Sequence, residues 1–529
     1  MSRVAIIGAG PSGLTSIKQC IDDNLEPVCF EASEHTGGLW RYTEIDDKNE
    51  DPHSSIYKSI IIITSKDVMA FTDFPVPYDW PTFLHNSKVA EYFDLYTEKF
   101  NLGPYIRFKS PVQRLSIQPD KRWKVTYLNP NNEECEEIFE HVMVCTGHHR
   151  YPRLPKYNGM DKFAGKQLHS HFYRRPKDYD NKRVVVVGCG NSGMDIAVEL
   201  SGIASQVYLC TRKGTLPWIL PRRIFGSLPS DHMATRFNIY LPTFMRDLIV
   251  KTIAYFTVGP HPTEFAPKTS PSASHPTIKT EFMERVSTGT VIIKPNIAEL
   301  KDDNSIVFVD GSVISDIDVI IYATGYDIKF PFLDKEIVSG GEKIEQQFEE
   351  EYRENLVWLY KYIFPPKLTN IAFIGLVQAI GAIMPVSDLQ AQYVTSLWTG
   401  NLSSKLPTQS EMEVDIIRNQ ETLRKRYYHA ARHTIEADMV PYMDDLAKDM
   451  GCLPDLSKVL LKYGPTLWLQ VLFGLPSPMH YRLFGRQAWG GAAEAIRKQN
   501  KGSPTMIMCG YPVVIIFGIL LGLVLIKLL

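Results

Sequence analysis

The chain has 529 residues, 44% hydrophobic and 22% charged, which excludes a disordered or collagen-like protein and leaves room for several domains of roughly 150 residues each. Lysine and arginine (57) nearly balance aspartate and glutamate (59), giving a formal net charge of −2, so no nucleic-acid partner is expected. The eight cysteines form no C-x-x-C pair, which argues against a disulfide framework or a zinc site and favours a reducing compartment.

The first elements are typical of a dinucleotide-binding unit. An apolar strand over residues 3–8 leads into the turn Gly8-Ala9-Gly10-Pro11-Ser12-Gly13 and then into a helical pattern. In such a turn the glycines permit a tight bend, a close approach to pyrophosphate and close helix packing, and the helix N-terminus favours the anion. A second strand ends in Glu31, eighteen residues after Gly13. Because a carboxylate there accepts from ribose hydroxyls and repels a 2′-phosphate, the unit is predicted to bind FAD or NAD.

The same order of elements recurs 180 residues later. A strand over 183–187 precedes the turn Gly188-Cys189-Gly190-Asn191-Ser192-Gly193 and a helix. The next strand, 206–210, ends in Thr211-Arg212-Lys213 instead of an acid. Basic groups at that position complement a 2′-phosphate, so this second unit is predicted to bind NADPH, the alternative being a solvated pair of basic residues at a strand end.

Two further strands, near 142–144 and 319–321, each end in a Thr-Gly sequence, and a later strand at 371–375 with a helix from about Met384 is expected to complete the first unit. The predicted fold is therefore α/β, with two interleaved Rossmann-like dinucleotide-binding domains, an inserted helical subdomain and a C-terminal membrane helix. The expected boundaries are 1–150 and 326–450 for the FAD domain, 151–213 and 286–325 for the NADPH domain, 214–285 for a subdomain over the active site, 451–505 for a membrane-proximal segment and 506–526 for a transmembrane anchor.

The membrane prediction depends on the last part of the sequence. Residues 506–526 are 21 residues without a charge, and as a helix they would extend about 31 Å, enough to cross a hydrocarbon layer of about 30 Å. A buried core helix is the alternative. The segment 453–475 is expected to pack either on the membrane surface or in an ordinary core. The basic residues before the apolar run indicate a cytosolic flank; they are Arg482, Arg486, Arg497, Lys498 and Lys501.

Other enzyme classes find no support in the sequence. Neither glycine-rich turn matches the G-x-S-x-G nucleophile elbow, and the chain contains no G-x-x-x-x-G-K-[ST] phosphate loop. The histidine pairs 148–149 and 169/171 lack partners at ligand spacing, so no metal site is predicted. The first residues contain no basic region, apolar run and cleavage site, so a signal peptide is not expected.

The segment Phe163-Ala164-Gly165-Lys166-Gln167-Leu168-His169-Ser170-His171-Phe172-Tyr173 matches F-x-G-x-x-x-H-x-x-x-Y, the fingerprint of flavin-containing monooxygenases. Together with both turns, Gly37-Gly38-Leu39-Trp40 and Tyr322-Ala323-Thr324-Gly325-Tyr326, it makes the whole chain resemble that family, and most closely its microsomal, membrane-anchored branch. Tyrosine at the last fingerprint position, where Baeyer–Villiger enzymes typically carry tryptophan, favours oxygenation of nitrogen and sulfur. His169 is expected to be structural.

The resemblance implies an enzyme in which NADPH reduces FAD and a C4a-hydroperoxyflavin formed with molecular oxygen oxygenates amine nitrogens and sulfide sulfurs of small xenobiotics. It also implies attachment to endoplasmic reticulum lipids with the catalytic part in the cytosol, and is compatible with a homo-oligomer. The implied cofactor-binding residues are Gly8, Gly10, Pro11, Ser12, Gly13, Glu31, Gly38, Leu39, Trp40, Thr64, Gly188, Gly190, Asn191, Ser192, Gly193, Thr211, Arg212 and Lys213, and the catalytic positions are Ile63, Thr64, Ser65 and Asn191.

One position departs from the family pattern. The family usually places asparagine near the flavin where this chain has Ile63, and isoleucine neither donates nor accepts a hydrogen bond. Either Ile63 simply extends a strand over 60–62, with Thr64, Ser65 or water substituting, or the enzyme releases hydrogen peroxide. Three hypotheses follow: an N/S-monooxygenase; a Baeyer–Villiger enzyme or an uncoupled NADPH oxidase; and a catalytically weak, membrane-tethered flavoprotein serving as a redox or interaction module.

Overall fold

Two five-stranded sheets, parallel throughout, form the centre of this computed structural model, which describes residues 1–45, 52–224, 226, 228–341, 347–427 and 433–501. In spatial order, the strands of the first sheet are Ile371–Phe373, His141–Val144, Arg3–Ile7, Glu26–Phe30 and Ile106–Arg107. The strands of the second sheet are Val291–Lys294, Gln206–Cys210, Arg183–Val187, Val319–Tyr322 and Lys166–His169. The predicted strands around both glycine-rich turns are confirmed, and the molecule has a mixed α/β fold of the Rossmann-like kind.

The chain leaves the first sheet, builds the second and then returns. Strand Ile371–Phe373 pairs in parallel with His141–Val144, which confirms the predicted return to the first unit. Helix Ile383–Trp398, predicted from about Met384, follows it and packs against helix Pro11–Asp22. The domain boundaries themselves stay a prediction.

Helices cover the sheets and fill the remainder of the molecule. Their bounds are Pro11–Asp22, Lys66–Met69, Asn86–Lys99, Asn191–Leu200, Arg236–Ile239, Thr243–Thr257, Phe282–Ser287, Glu350–Arg353, Ile383–Trp398, Gln409–Arg426, Met439–Met450, Leu456–Tyr463, Pro465–Phe473 and Ala492–Gln499. Two antiparallel three-stranded sheets lie beside the parallel ones, built from Val112–Ile117, Trp123–Leu128 and Glu134–Phe139, and from Ile297–Leu300, Ile306–Phe308 and Val313–Ile314. Paired short strands are Ile219–Leu220 with Thr277–Ile278, Arg223–Ile224 with Leu228–Pro229, Tyr151–Pro152 with Tyr326–Asp327, and Gln378–Ile380 with Glu436–Asp438.

Burial explains why the central strands are almost continuously apolar. Val184 and Val186 pack in one hydrophobic cluster, whereas Val185 and Val187 pack in another, because successive side chains of a strand point to opposite faces. A parallel sheet covered on both faces needs apolar residues at both sets of positions.

The segment predicted as an inserted helical subdomain is less regular than expected. Within 214–285 the described residues form one long helix, Thr243–Thr257, together with short helical turns and two-residue strands. Proline recurs through this segment. It cannot donate a backbone hydrogen bond, which interrupts both helix and sheet and explains the irregular chain path.

The strand expected over residues 60–62 is not formed. Ile61 makes a single antiparallel bridge with His85, and the Ile62 N–H and the Ile60 carbonyl bond to Leu84 and Asn86. Beyond these bonds the segment pairs with no further strand among the described residues, and helix Lys66–Met69 begins four residues after Ile62. The β-branched run therefore forms a short loop, and the interpretation of Ile63 as the extension of a strand is wrong.

The segment 453–475 has one buried side and one exposed apolar side. Val459, Leu467, Val471 and Leu475 are fully buried in the main hydrophobic cluster. Leu453, Leu460 and Leu461 are exposed, Leu461 to 86%. Part of the segment therefore packs in the core, and packing of its other side on a membrane surface stays a prediction. Within the described part of the chain, no helix is both long enough and apolar enough to cross a membrane, and the predicted anchor 506–526 lies outside the described residues.

One of the basic residues assigned to a membrane flank, Arg482, lies in the interior instead. Arg482 is 2% exposed, donates from Nε to Thr72 Oγ1 at 2.6 Å and lies 3.2 Å from the Asp73 carboxylate and 3.8 Å from that of Asp388. A charged side chain is retained in an interior only when it is paired, and Arg482 has such partners. Arg486 is exposed and pairs with the buried carboxylate of Asp23. The cytosolic basic flank stays a prediction, but the charge of Arg482 lies inside the protein and does not contribute to an exposed flank.

Candidate functional site

The first glycine-rich turn has the shape that a dinucleotide requires. Gly8 has a φ of +100°, and a Cβ on Gly13 would lie 1.9 Å from the Gly8 carbonyl oxygen, so both positions require glycine. The Glu31 carboxylate is hydrogen-bonded to the turn. Its Oε2 accepts from the Ala9 N–H at 2.7 Å, and its Oε1 accepts from the Ser33 N–H at 2.8 Å. The predicted ribose-binding carboxylate is thus held beside the turn by two backbone donors.

A second loop and a second helix close around this turn. The Gly37 N–H donates to the Ala9 carbonyl at 2.9 Å, and a Cβ on Gly10 would lie 3.6 Å from the Cα of Gly38. The hydroxyl of Ser12 lies 3.0 Å from that of Ser387 in helix Ile383–Trp398. The backbone of the first turn and that of the loop at Gly37 and Gly38 therefore lie close together. They leave a narrow cradle that side chains larger than glycine would fill, and this shape fits a bound FAD.

The second turn repeats this geometry. Gly188 has a φ of +112°, and a Cβ there would lie 2.4 Å from the Ala323 carbonyl oxygen; a Cβ on Gly193 would lie 2.0 Å from the Gly188 carbonyl oxygen. A Cβ on Gly190 would meet nothing within 4 Å, so the middle of the turn stays open. This open turn at the start of helix Asn191–Leu200 fits the pyrophosphate of NADPH.

The strand after the second turn ends as the sequence predicts. Thr211 is fully buried, and its N–H donates to the Lys294 carbonyl at 2.9 Å. Arg212 and Lys213 are exposed. An exposed guanidinium at the end of this strand is accessible to a 2′-phosphate arriving from solvent.

Asn191 joins the second turn to the inserted segment. Its Oδ1 accepts from the Ile278 N–H at 2.9 Å, and its Nδ2 donates to the Pro276 carbonyl at 3.5 Å. Both hydrogen-bonding groups of the amide are therefore engaged by backbone, and the side chain fixes the inserted segment to the helix start.

A large cavity of about 1480 Å³ connects the two turns. The predicted residues that line it are Gly8, Gly10, Pro11, Ser12, Glu31, Gly38, Leu39, Trp40, Ile63, Thr64, Asn191 and Ser192. The predicted residues outside its lining are Gly13, Ser65, Gly188, Gly190, Gly193, Thr211, Arg212 and Lys213. The inserted segment contributes further wall, including Leu220, Ile224, Asp231 and Met233.

Two carboxylates on helix Asn191–Leu200, missed by the sequence analysis, hold the units together. Asp195 accepts from the Tyr57 hydroxyl and, at 2.5 Å, from Lys279 Nζ. Glu199, one turn later, accepts from the Ser59 hydroxyl and, at 2.6 Å, from Tyr173. Residues from the first unit, the fingerprint and the inserted segment therefore meet on one face of the helix that begins at the second turn. No motif marks these acids, because their partners are distant in sequence.

Two residues of the fingerprint, Tyr173 and His169, are held inside the fold by packing and hydrogen bonding. Tyr173 is fully buried, and its ring packs edge-to-face on Tyr57 with a centroid separation of 5.2 Å. His169 accepts from the His171 N–H at 3.0 Å through Nδ1 and so caps the turn Ser170–Phe172. Burial lowers the pKa of His169 to about 4, so its ring is neutral at physiological pH, as suits a structural role.

Comparison with known proteins agrees with this geometry. Residues 1–508 match the family model described as flavin-binding monooxygenase-like. Flavin-containing monooxygenase 5 of Rattus norvegicus is 41% identical over 512 residues, covering 93% of this chain and 91% of the relative. Flavin-containing monooxygenase 2 of Homo sapiens is 38% identical over 515 residues, covering 94% and 92%.

Solved structures share the fold. The S-allyl-L-cysteine S-oxygenase of Allium sativum superimposes with a TM-score of 0.64 at 23% identity, covering 95% of this chain and 98% of that one. A cyclohexanone monooxygenase superimposes with a TM-score of 0.57 at 16% identity, covering 84% and 97%.

Two dinucleotide cradles that share one cavity define a two-dinucleotide oxidoreductase fold. The chain belongs to the flavin-containing monooxygenase family, and it is an FAD- and NADPH-dependent monooxygenase that uses molecular oxygen and small-molecule substrates.

Proposed function

We propose that this enzyme oxygenates soft nucleophiles, namely amine nitrogens and sulfide sulfurs of small xenobiotics, inside the cavity between its two dinucleotide sites. The observation that carries the proposal is the cavity of about 1480 Å³, whose lining includes Pro11 and Ser12 of the first turn and Asn191 and Ser192 of the second. A cavity of this size accommodates parts of two cofactors and a small substrate side by side.

The proposed division of roles follows the two turns. The first turn, Glu31 and the loop Gly38–Trp40 hold FAD, and the second turn with Thr211–Lys213 holds NADPH. The chemistry that FAD supplies when bound is the activation of oxygen after reduction by NADPH. The protein binds and orients both cofactors, and its apolar wall, to which Ile62 and Ile63 contribute, excludes water from the reacting atoms. A nucleophilic substrate attacks without needing a nucleophilic side chain of the protein.

Hydrogen peroxide production is a second candidate activity, and Ile63 favours it. Ile63 lines the cavity together with Thr64, so an apolar side chain occupies a wall position at which an amide could hydrogen-bond. A buried polar group that lacks a hydrogen-bond partner is less stable than one that has a partner. If the oxygen-transferring group lacks such a partner in this cavity, it decays sooner, and less time is available for oxygen transfer to the substrate. Part of the NADPH oxidised is then expected to yield peroxide.

Product analysis tests the substrate class. Purified holoenzyme is given NADPH with N,N-dimethylbenzylamine, benzyl methyl sulfide or phenylacetone, and the oxygenated products are quantified. The proposal predicts N-oxide and sulfoxide as the main products. Ester from the ketone in excess of both would contradict it and assign Baeyer–Villiger oxygenation instead; peroxide alone from all three would assign an NADPH oxidase.

We further propose that residues 506–526 anchor the enzyme in the endoplasmic reticulum membrane with its catalytic part in the cytosol. The support is the run of 21 uncharged, mostly apolar residues. Deletion of 506–529 should release the protein into the soluble fraction, and Ile516→Arg, which places a charge at mid-span, should weaken attachment while keeping the chain length. Sedimentation of membranes after a high-salt wash measures both. A deletion variant that still sediments would contradict the proposal.

A further inference from the structure

Asp231 occupies an unusual position in the cavity wall. It lies in the 3₁₀ turn Ser230–Met233 of the inserted segment and lines the cavity together with Ile63, Thr64 and Met233. Its Oδ2 accepts from the Ser65 backbone N–H at 2.7 Å, which ties the inserted segment to the loop that carries Ile63. Its Oδ1 is buried and hydrogen-bonds to no described residue. A buried carboxylate oxygen without a donor is an open acceptor site.

Among the described residues, no cation pairs with Asp231. The neighbouring acid Asp67 interacts electrostatically with Asp231 and also with Lys66 and His232. Lys66 Nζ is engaged by the carbonyls of Pro77, Tyr78 and Trp80 at 3.1, 2.6 and 2.8 Å. Asp67 is itself an acid, and burial lowers the pKa of His232 to about 4, so that ring is neutral.

The charge state of Asp231 follows from these neighbours. Burial raises the pKa of its carboxyl to about 6, against the opposing effect of the Ser65 N–H, so the group is mostly ionised at neutral pH. The cavity also carries other charged side chains, among them Glu31, Asp195 and Arg222, but the part of the wall beside Asp231 includes the apolar Ile63 and Met233. A carboxylate beside such an apolar surface favours a cationic ligand over a neutral one of equal shape.

We propose that Asp231 is a specificity-determining residue that binds amine substrates as their ammonium cations through Oδ1 and accepts the ammonium proton before oxygenation. The inference deepens the proposed function, because it assumes that amines enter this cavity. In the proton transfer the N–H bond breaks, an O–H bond forms on the carboxyl, and the electron pair stays on nitrogen. The product is a neutral amine, the nucleophilic form, and a neutral acid; no oxidant or further reactant takes part.

Sulfides have no such requirement. A thioether is neutral and already carries its reactive lone pair, so Asp231 offers it neither charge attraction nor proton transfer. The residue therefore distinguishes two substrate classes that the apolar cavity wall treats alike.

The test compares substrates of matched shape on the full-length holoenzyme at a pH of about 7.5. In Asp231→Asn the amide keeps an acceptor for the Ser65 N–H but removes the charge. The KM for N,N-dimethylbenzylamine should rise about tenfold or more, while the KM for benzyl methyl sulfide should stay within about twofold. Asp67→Asn is the matched control, because Asp67 is a neighbouring acid outside the cavity lining, and it should change neither value. Equal changes for amine and sulfide in Asp231→Asn would overturn the proposal.

Binding without turnover provides a second test that needs no variant. Equilibrium dialysis of the unmodified, resting holoenzyme measures the Kd of benzyltrimethylammonium, which cannot be oxygenated, against that of its neutral isostere neopentylbenzene. The proposal predicts that the cation binds about tenfold more tightly and that this preference weakens below a pH of about 6. Equal affinities would overturn the role of Asp231. Failure of the proposed function shows separately, as absence of both N-oxide and sulfoxide.

Discussion

Arg482 offers the most quantitative test of how the molecule is held together. Its guanidinium is 2% exposed and pairs with Asp73 and Asp388, and Asp388 in turn accepts from Thr15 at 2.7 Å. Burial would raise the pKa of Asp388, but Arg482 and Lys18 hold it below its ordinary range. The guanidinium therefore stabilises a fully buried carboxylate that connects helix Ile383–Trp398 to the helix of the first glycine-rich turn.

Replacing Arg482 by methionine keeps most of the side-chain volume and removes the charge. Removal of one partner from a buried ion pair costs about 3–5 kcal/mol, which corresponds to a fall of roughly 6–20 °C in the melting temperature of a large domain. Far-UV circular dichroism of the holoenzyme measures the melting temperature, and flavin fluorescence measures FAD release. We expect both transitions to shift together, because the network lies beneath the FAD cradle.

Arg497→Met is the matched control. Arg497 belongs to the same basic stretch of sequence but is exposed, and within the described part of the chain its side chain donates one long hydrogen bond, 3.4 Å, to the Tyr463 carbonyl. Exposed substitutions of this kind usually change stability by less than about 0.5 kcal/mol. Equal small effects of the two substitutions would refute the assignment of Arg482 to a buried ion-pair network.

Four other substitutions, used in three experiments, examine the site. Arg212→Ala should raise the KM for NADPH well above any change in the KM for NADH and leave the FAD content unchanged, because only NADPH carries the 2′-phosphate; equal losses for both coenzymes would contradict this. Ile63→Asn should raise the ratio of oxygenated product to NADPH oxidised, since a hydrogen bond in a buried site stabilises by roughly 1–3 kcal/mol, and an unchanged ratio would show that Thr64 or bound coenzyme already suffices. Tyr173→Phe and Glu199→Gln should each lower the melting temperature, and a double-mutant cycle should give a coupling of at least about 0.5 kcal/mol if their hydrogen bond joins the units; additive effects would argue against it.

The parts of the fold that the sequence predicts are those governed by local chemistry. Glycines at fixed spacing between apolar strands indicate both turns, because positive φ values and close backbone contacts at Gly8 and Gly188 exclude other residues. The strand predicted over 60–62 does not form because strand formation also depends on distant partners. The β-branched residues of this segment favour an extended conformation, but a strand needs a partner strand to pair with. Just three residues, 84–86, pair with the segment.

Long-range pairing limits what the sequence reveals about charged residues. Arg482 and its hydrogen-bond partner Thr72 are 410 positions apart in the sequence. From the sequence alone, the charge of Arg482 therefore suggests a membrane flank, and only the fold shows that this arginine is buried beside Thr72. Asp231 and Ser65 are 166 positions apart, and neither belongs to a recognisable motif. The position of Asp231 in the cavity wall is therefore evident only in the folded molecule.

The most direct test of the account is the balance of NADPH, oxygen and product for purified holoenzyme with benzyl methyl sulfide under isotopically labelled oxygen. The account predicts that the sulfoxide carries one labelled oxygen atom and that sulfoxide plus hydrogen peroxide together equal the NADPH oxidised. NADPH oxidation that yields no labelled product from the sulfide, from N,N-dimethylbenzylamine or from phenylacetone would contradict an oxygenating cavity between the two dinucleotide sites.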